Sequence, residues 1–391
     1  MRALVIGCGN LLRGDDAAGP VLIRRLWDRG LPEGVRCADA GTGGMDVAFQ
    51  MRGVPELILV DACRSGREPG EVFEVPGREL ERLPPLSGIN LHAFRWDHAL
   101  AFARWLLGDD YPQRVTVCLI EGACFEVGEP LSPAVDRAVE LLADRLLERL
   151  AVLSKLHQAE VLLAGDAPDA EAAVDIVREG VGLAARGRMP LLEAELWMQL
   201  GIALQSIEAA DRTTMLETVR AYQRALTAGI TEEDHPLWYA QVQNNLGLAY
   251  LAMPDGGAGA ALRIGIAVQS FRHAARASGR GRDREGWAAA MANLASALQH
   301  APSSHPEQNL VEAVEIYDQV LSVRTVDRDP AGRGVVLLNQ ANALAHLGIF
   351  APAIDKLAEA EDLLELHGRT EEAAAVRSLR DEIESRHLIR S

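Results

Sequence analysis

The chain has 391 residues, 48% of them apolar, and a formal net charge of −17, enough length for two or three domains and too apolar for a disordered segment. An acidic balance in both parts, 17 basic against 23 acidic residues in 1–150 and 22 against 33 after it, argues against nucleic acid as a partner. No run reaches the ~18 apolar residues of a membrane span, so no membrane partner is expected. The five cysteines, Cys8, Cys37, Cys63, Cys118 and Cys124, form no CxxC pair. They read as reduced thiols, and with no signal peptide in sight a soluble cytoplasmic protein is expected.

In chain order, Ala3–Ile6 is an apolar run, Gly7–Gly19 a glycine-rich turn and Val21–Trp27 an amphipathic run, which predicts strand, turn and helix. The turn carries Asp15 and Asp16 side by side. Carboxylates where a phosphate would otherwise sit suit a cation instead. The third glycine of a dinucleotide fingerprint is missing, since position 12 is leucine. Val35–Asp39 predicts a second strand, Met45–Arg52 a short helix, and Leu57–Asp61 a strand buried on both faces and ending in a carboxylate. Gly70–Val75 is a further strand candidate, Trp96–Leu107 a helix, and Val115–Ile120 a buried strand. Pro133–Leu150 reads as a long helix capped by Ser132 with Pro133 at its first position. Strands alternating with helices predict a doubly wound α/β domain, whose working groups gather at the carboxyl ends of its strands. If those strands are parallel, Asp16, Asp39 and Asp61 share one edge of the sheet.

Gly7–Gly19, Asp39–Met45, Val60-Asp61-Ala62 and Glu121–Glu126 with Leu131-Ser132-Pro133 together resemble the ordered motifs of the hydrogenase maturation endopeptidases. Those enzymes trim the carboxyl-terminal extension from the large subunit of [NiFe] hydrogenases. The resemblance covers residues 1 to about 150. It implies that Asp16, Asp61 and His92 are at once metal ligands and catalytic groups. It also implies that the nickel they contact arrives within the substrate, the large-subunit precursor. The first acid is often glutamate in the family; here it is the shorter Asp16. Two carboxylates and an imidazole suit a borderline divalent cation such as nickel. Cys8 reads as a buried thiol more readily than as a nucleophile.

Past about residue 150, strand signals and cysteines vanish. Leu200–Leu204 recurs as Leu246–Tyr250, Leu294–Leu298 and Gln340–Leu344, at offsets near 47 residues. Each copy is followed by a second helical run: Met215–Thr227, Ile264–Ala277, Val311–Val323 and Ala351–Leu366. Glu171–Gly187 reads as a worn earlier helix and Glu371–Ile389 as a closing one. The pattern resembles tetratricopeptide repeats, although their usual period is ~34 residues. Such repeats form a superhelix whose concave face binds peptides or protein surfaces. The expected organisation is an endopeptidase domain over 1–152 and a tetratricopeptide-like solenoid over 153–391. The solenoid would bind the client or other maturation factors. The alternative is a scaffold that recognises the nickel-loaded large subunit without cutting it.

Overall fold

The computed structural model describes residues 1–80, 96–165, 167–254, 259–281 and 283–390. Two compact units divide the chain, Met1–Gln199 and Leu200–Ser391.

The first unit is built on a five-stranded sheet in the order β2-β1-β3-β5-β4. The strands are β1 (Ala3–Cys8), β2 (Val35–Gly41), β3 (Glu56–Cys63), β4 (Val72–Pro76) and β5 (Arg114–Glu121). β2, β1, β3 and β5 run parallel. β4 runs the other way, pairing antiparallel with β5 at the sheet edge. The sequence predicts β1 and β3 because their residues are buried on both faces: every residue of β1 is buried, as are Glu56–Val60 of β3. β4 is only partly buried, as an edge strand is.

The helices are α1 (Ala18–Arg29), α2 (Gly44–Gln50), the single turn α3 (Gly77–Leu80), α4 (Trp96–Leu107) and α5 (Pro133–Leu163), followed by α6 (Ala170–Arg186) and α7 (Pro190–Gln205). On one face, Leu4, Ile6, Leu57 and Leu59 pack with Val47, Ala48 and Met51 of α2 and its end, and with Ala99, Leu100 and Ala103 of α4. α1 and α5 pack together and against strands of the same sheet. α5 is 31 residues long and passes through residue 152 without a break, so the composition change falls inside a helix. Its core residues continue past Leu150 as Val152, Leu153, Leu156 and Ala159. Ser132 stands at its N-cap position but makes no side-chain cap bond, and its buried Oγ has no hydrogen-bond partner among the described residues.

Ionised side chains at the amino end of the sheet form a buried network. Glu56, at the start of β3, is fully buried and takes Arg114 Nη2 at 2.7 Å and Arg149 Nη2 at 2.6 Å. Arg114 also gives Nη1 to Glu195 of α7 at 2.7 Å. Arg2 pairs with the same Glu195 and with Glu160 of α5, the latter at 2.8 Å. Burial alone would favour the neutral acid at Glu56, but the Arg114 and Arg149 guanidinia outweigh it and hold the pKa below the usual carboxylate value.

The second unit is all helical: the end of α7, then α8 (Arg212–Ala228), α9 (Pro236–Ala252), α10 (Ala260–Gly281), α11 (Arg284–His300), α12 (Pro306–Val323), α13 (Pro330–His346), α14 (Phe350–Leu366) and α15 (Thr370–Arg390). From α8 on, each helix packs on the next. This is a helical-repeat domain, with the repeated small-residue cores on α7, α9, α11 and α13. The small residues are needed. A Cβ on Gly247 would stand 2.6 Å from the buried ring of Phe271, and one on Gly201 2.4 Å from that of Tyr222. Tyr222, Phe271 and Tyr317 occupy equivalent second helices and are fully buried. Gly247→Ala therefore overpacks one repeat. A loss of about 1–3 kcal/mol is expected, read as a lower denaturant midpoint at unchanged helical content.

Candidate functional site

The strand order reverses between β2-β1 and β1-β3, and ligands of open α/β sheets bind in the crevice beyond the carboxyl ends of strands at such a point. A cavity of about 650 Å³ lies there, lined by the ends of β1 and β3 and by the loops that follow β1, β2 and β5. Gly9, just past β1, has φ +131° and gives the chain its turn; a Cβ there would sit 1.9 Å from the Asp16 carbonyl oxygen. Asn10 N–H donates to that carbonyl at 3.1 Å.

The two adjacent aspartates have separate roles. Residues Gly14–Ala17 form a 3₁₀ turn, in which successive side chains point about 120° apart. Asp16 is half-buried and lines the cavity. Asp15 is fully buried. Its carboxylate accepts the backbone N–H groups of Ala123 at 2.7 Å, Cys124 at 2.9 Å and Ser132 at 2.6 Å. It thereby ties the loop after β5 to the glycine turn. The backbone adds Asp15 N–H to Cys124 O at 2.7 Å, Gly14 N–H to Glu129 O at 3.0 Å and Gly128 N–H to Leu12 O at 2.8 Å.

Asp61 lines the same cavity from the end of β3, and its Oδ1 accepts Ala62 N–H at 2.8 Å. Thus Asp16, from the glycine turn, and Asp61, from the end of β3, face one space. His92 lies outside the described residues. Asp39 turns its Oδ1 to Gly41 N–H at 2.9 Å and shapes the turn after β2. Among the described residues no three histidine, cysteine or acidic side chains stand close enough to hold a metal ion by themselves.

Sequence spacing had singled out neither Cys63, Arg64, Glu121 nor Phe125 for a role. Cys63, Arg64 and Phe125 line the cavity. Glu121, at the end of β5, clamps the loop after β3: its carboxylate accepts Ser65 Oγ–H at 2.7 Å, and the Ser65 and Gly66 N–H groups at 2.9 Å. Cys63 Sγ–H adds a bond at 3.3 Å. The Ser65 hydroxyl first, and then the two backbone N–H groups against the cost of desolvation, hold the Glu121 pKa down to about 2. Burial pushes the Cys63 thiol up to about 12, helped by the bond to Glu121. Burial, with Asp61 and Asp39 nearby, pushes Cys8 far above its usual value as well. Both thiols are therefore kept protonated, which does not suit a nucleophile.

A carboxylate whose folded pKa is depressed stabilises the fold above its unfolded value and loses that contribution as pH falls through the folded one. For Glu121 the window runs from about 4.5 down to about 2. Urea titrations across that window should show the wild type losing more stability than Glu121→Gln.

The family model for hydrogenase maturation proteases matches residues 20–149. The hydrogenase expression/formation protein HoxM of Azotobacter vinelandii is 30% identical over 152 residues, which are 36% of this chain and 72% of that protein. The chain belongs to the hydrogenase maturation protease family. The hydrogenase 2 maturation protease of Escherichia coli K12 is 29% identical over 152 residues, 38% of this chain and 91% of that one. The solved structure of the hydrogenase maturating endopeptidase HybD of E. coli matches with 28% identity and a TM-score of 0.34, covering 38% of this chain and 92% of that one. The residues matched by the family model include β2, β3, β4 and β5 of the sheet. The family model starts after the glycine turn and includes Asp61. No helix among the described residues is long and apolar enough to cross a membrane.

Proposed function

We propose that this chain is an endopeptidase that removes the carboxyl-terminal extension of a [NiFe] hydrogenase large subunit once nickel has been inserted. The reading rests on Asp16 and Asp61 lining one cavity at the switch point of a maturation protease sheet. Two half-buried carboxylates, one in the glycine turn and one at the end of β3, offer hard and borderline cations oxygen donors. The nickel is cargo of the substrate. Asp16 and Asp61, with His92 as the nitrogen donor, take hold of it and so position the polypeptide that carries it. The peptide bond to be cut then lies at the cavity, where water has access from its open side. The helical-repeat domain serves protein binding, to the precursor or to other maturation factors.

The test is incubation of the full-length chain with nickel-loaded and nickel-free large-subunit precursor, with the product sized by mass spectrometry. A shortened product from the nickel-loaded form alone supports the reading. Nickel-dependent binding with no shortened product would replace it by the non-cutting scaffold.

A further inference from the structure

Arg64 is the one cationic side chain among the described residues that line the cavity. It is exposed, and its guanidinium lies over the Phe125 ring at 4.6 Å from the centroid. No ion pair among the described residues involves it, although Asp16 and Asp61 line the same cavity. Its position is built. The two residues that follow it, Ser65 and Gly66, are fastened to Glu121, and Gly122 N–H donates to Cys63 O at 2.9 Å. The loop bearing Arg64 and the loop bearing Phe125 are therefore joined at the end of β5. A stacked guanidinium keeps its planar N–H edge free for a two-oxygen acceptor.

We propose that Arg64 is a specificity-determining residue that binds a carboxylate of the substrate polypeptide at the mouth of the cavity, with Phe125 and Glu121 as its positioning residues. The proposal rests on the peptidase reading above and adds the chemistry of what the peptide must present. The acids hold the cationic cargo, and Arg64 holds an anionic group of the same chain. That group is a carboxylate of an aspartate or glutamate in the segment to be removed, or the terminal carboxylate of that segment.

The experiment uses the full-length chain and the nickel-loaded large-subunit precursor, with binding followed by biolayer interferometry and cleavage by initial rates. Arg64→Gln should raise Kd and KM about tenfold and leave kcat within about twofold, as expected for loss of one charge-assisted contact made before the chemical step. The deficit should shrink between 50 and 500 mM salt. Arg64→Lys should recover only part of it, and Phe125→Leu should show a smaller loss of the same kind. Precursors with each acid of the tail changed to its amide, and one lengthened by Gly-Ser-Gly, identify the source. On the precursor lacking the partner carboxylate, the Arg64→Gln penalty should vanish.

The proposal is overturned if Arg64→Gln binds and cleaves like the wild type. It is equally overturned if kcat falls with KM unchanged, or if the penalty persists on every altered precursor. A wild type that binds but does not cut sinks the peptidase reading alone, and the Kd comparison still decides the role of Arg64. A wild type that does not bind the precursor overturns both.

Discussion

Asp16→Asn is expected to lower the rate of precursor cleavage by about 10²–10³-fold while the chain melts as the wild type does. Removing one preorganised charged group from a reacting centre costs on this order. Asp16 is half-buried and its side chain accepts no hydrogen bond among the described residues, so its substitution should move stability by no more than about 0.5 kcal/mol. Asp15→Ala should behave in the opposite sense. It leaves the N–H groups of Ala123, Cys124 and Ser132 without their acceptor in a buried place. Roughly 3–5 kcal/mol should be lost, and activity should fall only as the folded fraction falls. Calorimetry and a single-turnover assay on the same two variants separate the effects. A neutral Asp15→Ala, or an Asp16→Asn that unfolds, would refute this division of labour.

Glu195→Ala should be strongly destabilising to the first unit. The Glu195 side chain is 6% exposed and faces Arg2 at 9% and Arg114 at 16%. Arg114 keeps Glu56, but Arg2 keeps only Glu160, whose side chain is 41% exposed. Breaking a buried pair by removing one partner costs about 3–5 kcal/mol, because a charge is left behind in poor solvent. For a unit of this size that corresponds to a fall in Tm of roughly 10 °C or more. Glu195→Gln should recover part of the loss by hydrogen bonding. A chain ending at residue 152 should fare worse still, since it lacks both Glu160 and Glu195 and cuts α5 within its buried face. A chain ending at 199 should melt cooperatively. If the 152-residue chain is as stable as the 199-residue one, the network does not carry the weight assigned to it.

β1 and β3 were legible because burial on both faces demands uninterrupted apolar residues, as in Leu57–Val60. The repeats were legible because Gly201, Gly247 and Ala295 answer aromatic rings one helix later. The antiparallel sense of β4 was not, since strand direction leaves no mark in five residues. The extension of α5 to Leu163 was hidden by the change in composition, although Leu153, Leu156 and Ala159 keep the helical spacing. At the site, Asp61 could be picked out from the end of an apolar run, whereas Asp16 was distinguished from Asp15 only by the resemblance of the glycine turn to the family motif. The structural task of Asp15 could not be read, because it depends on how a single tight turn aims neighbouring side chains. Arg64 and Phe125 stand 61 positions apart and meet only once β3 and β5 are paired. The charged network was missed for the same reason: Arg2, Glu56 and Arg114 each look like an ordinary solvated strand end.

The link between Arg2 and Glu195 also bears on how the chain is made. A ribosome adds about 5–20 residues per second, so roughly 10–40 s pass between the second residue and the one that completes its pairing. Throughout that interval the first strand can find its neighbours, but the foot of the sheet stays open to solvent. The nascent protein is therefore closed late, by a segment translated well after the last strand, and chaperones have that interval in which to engage it.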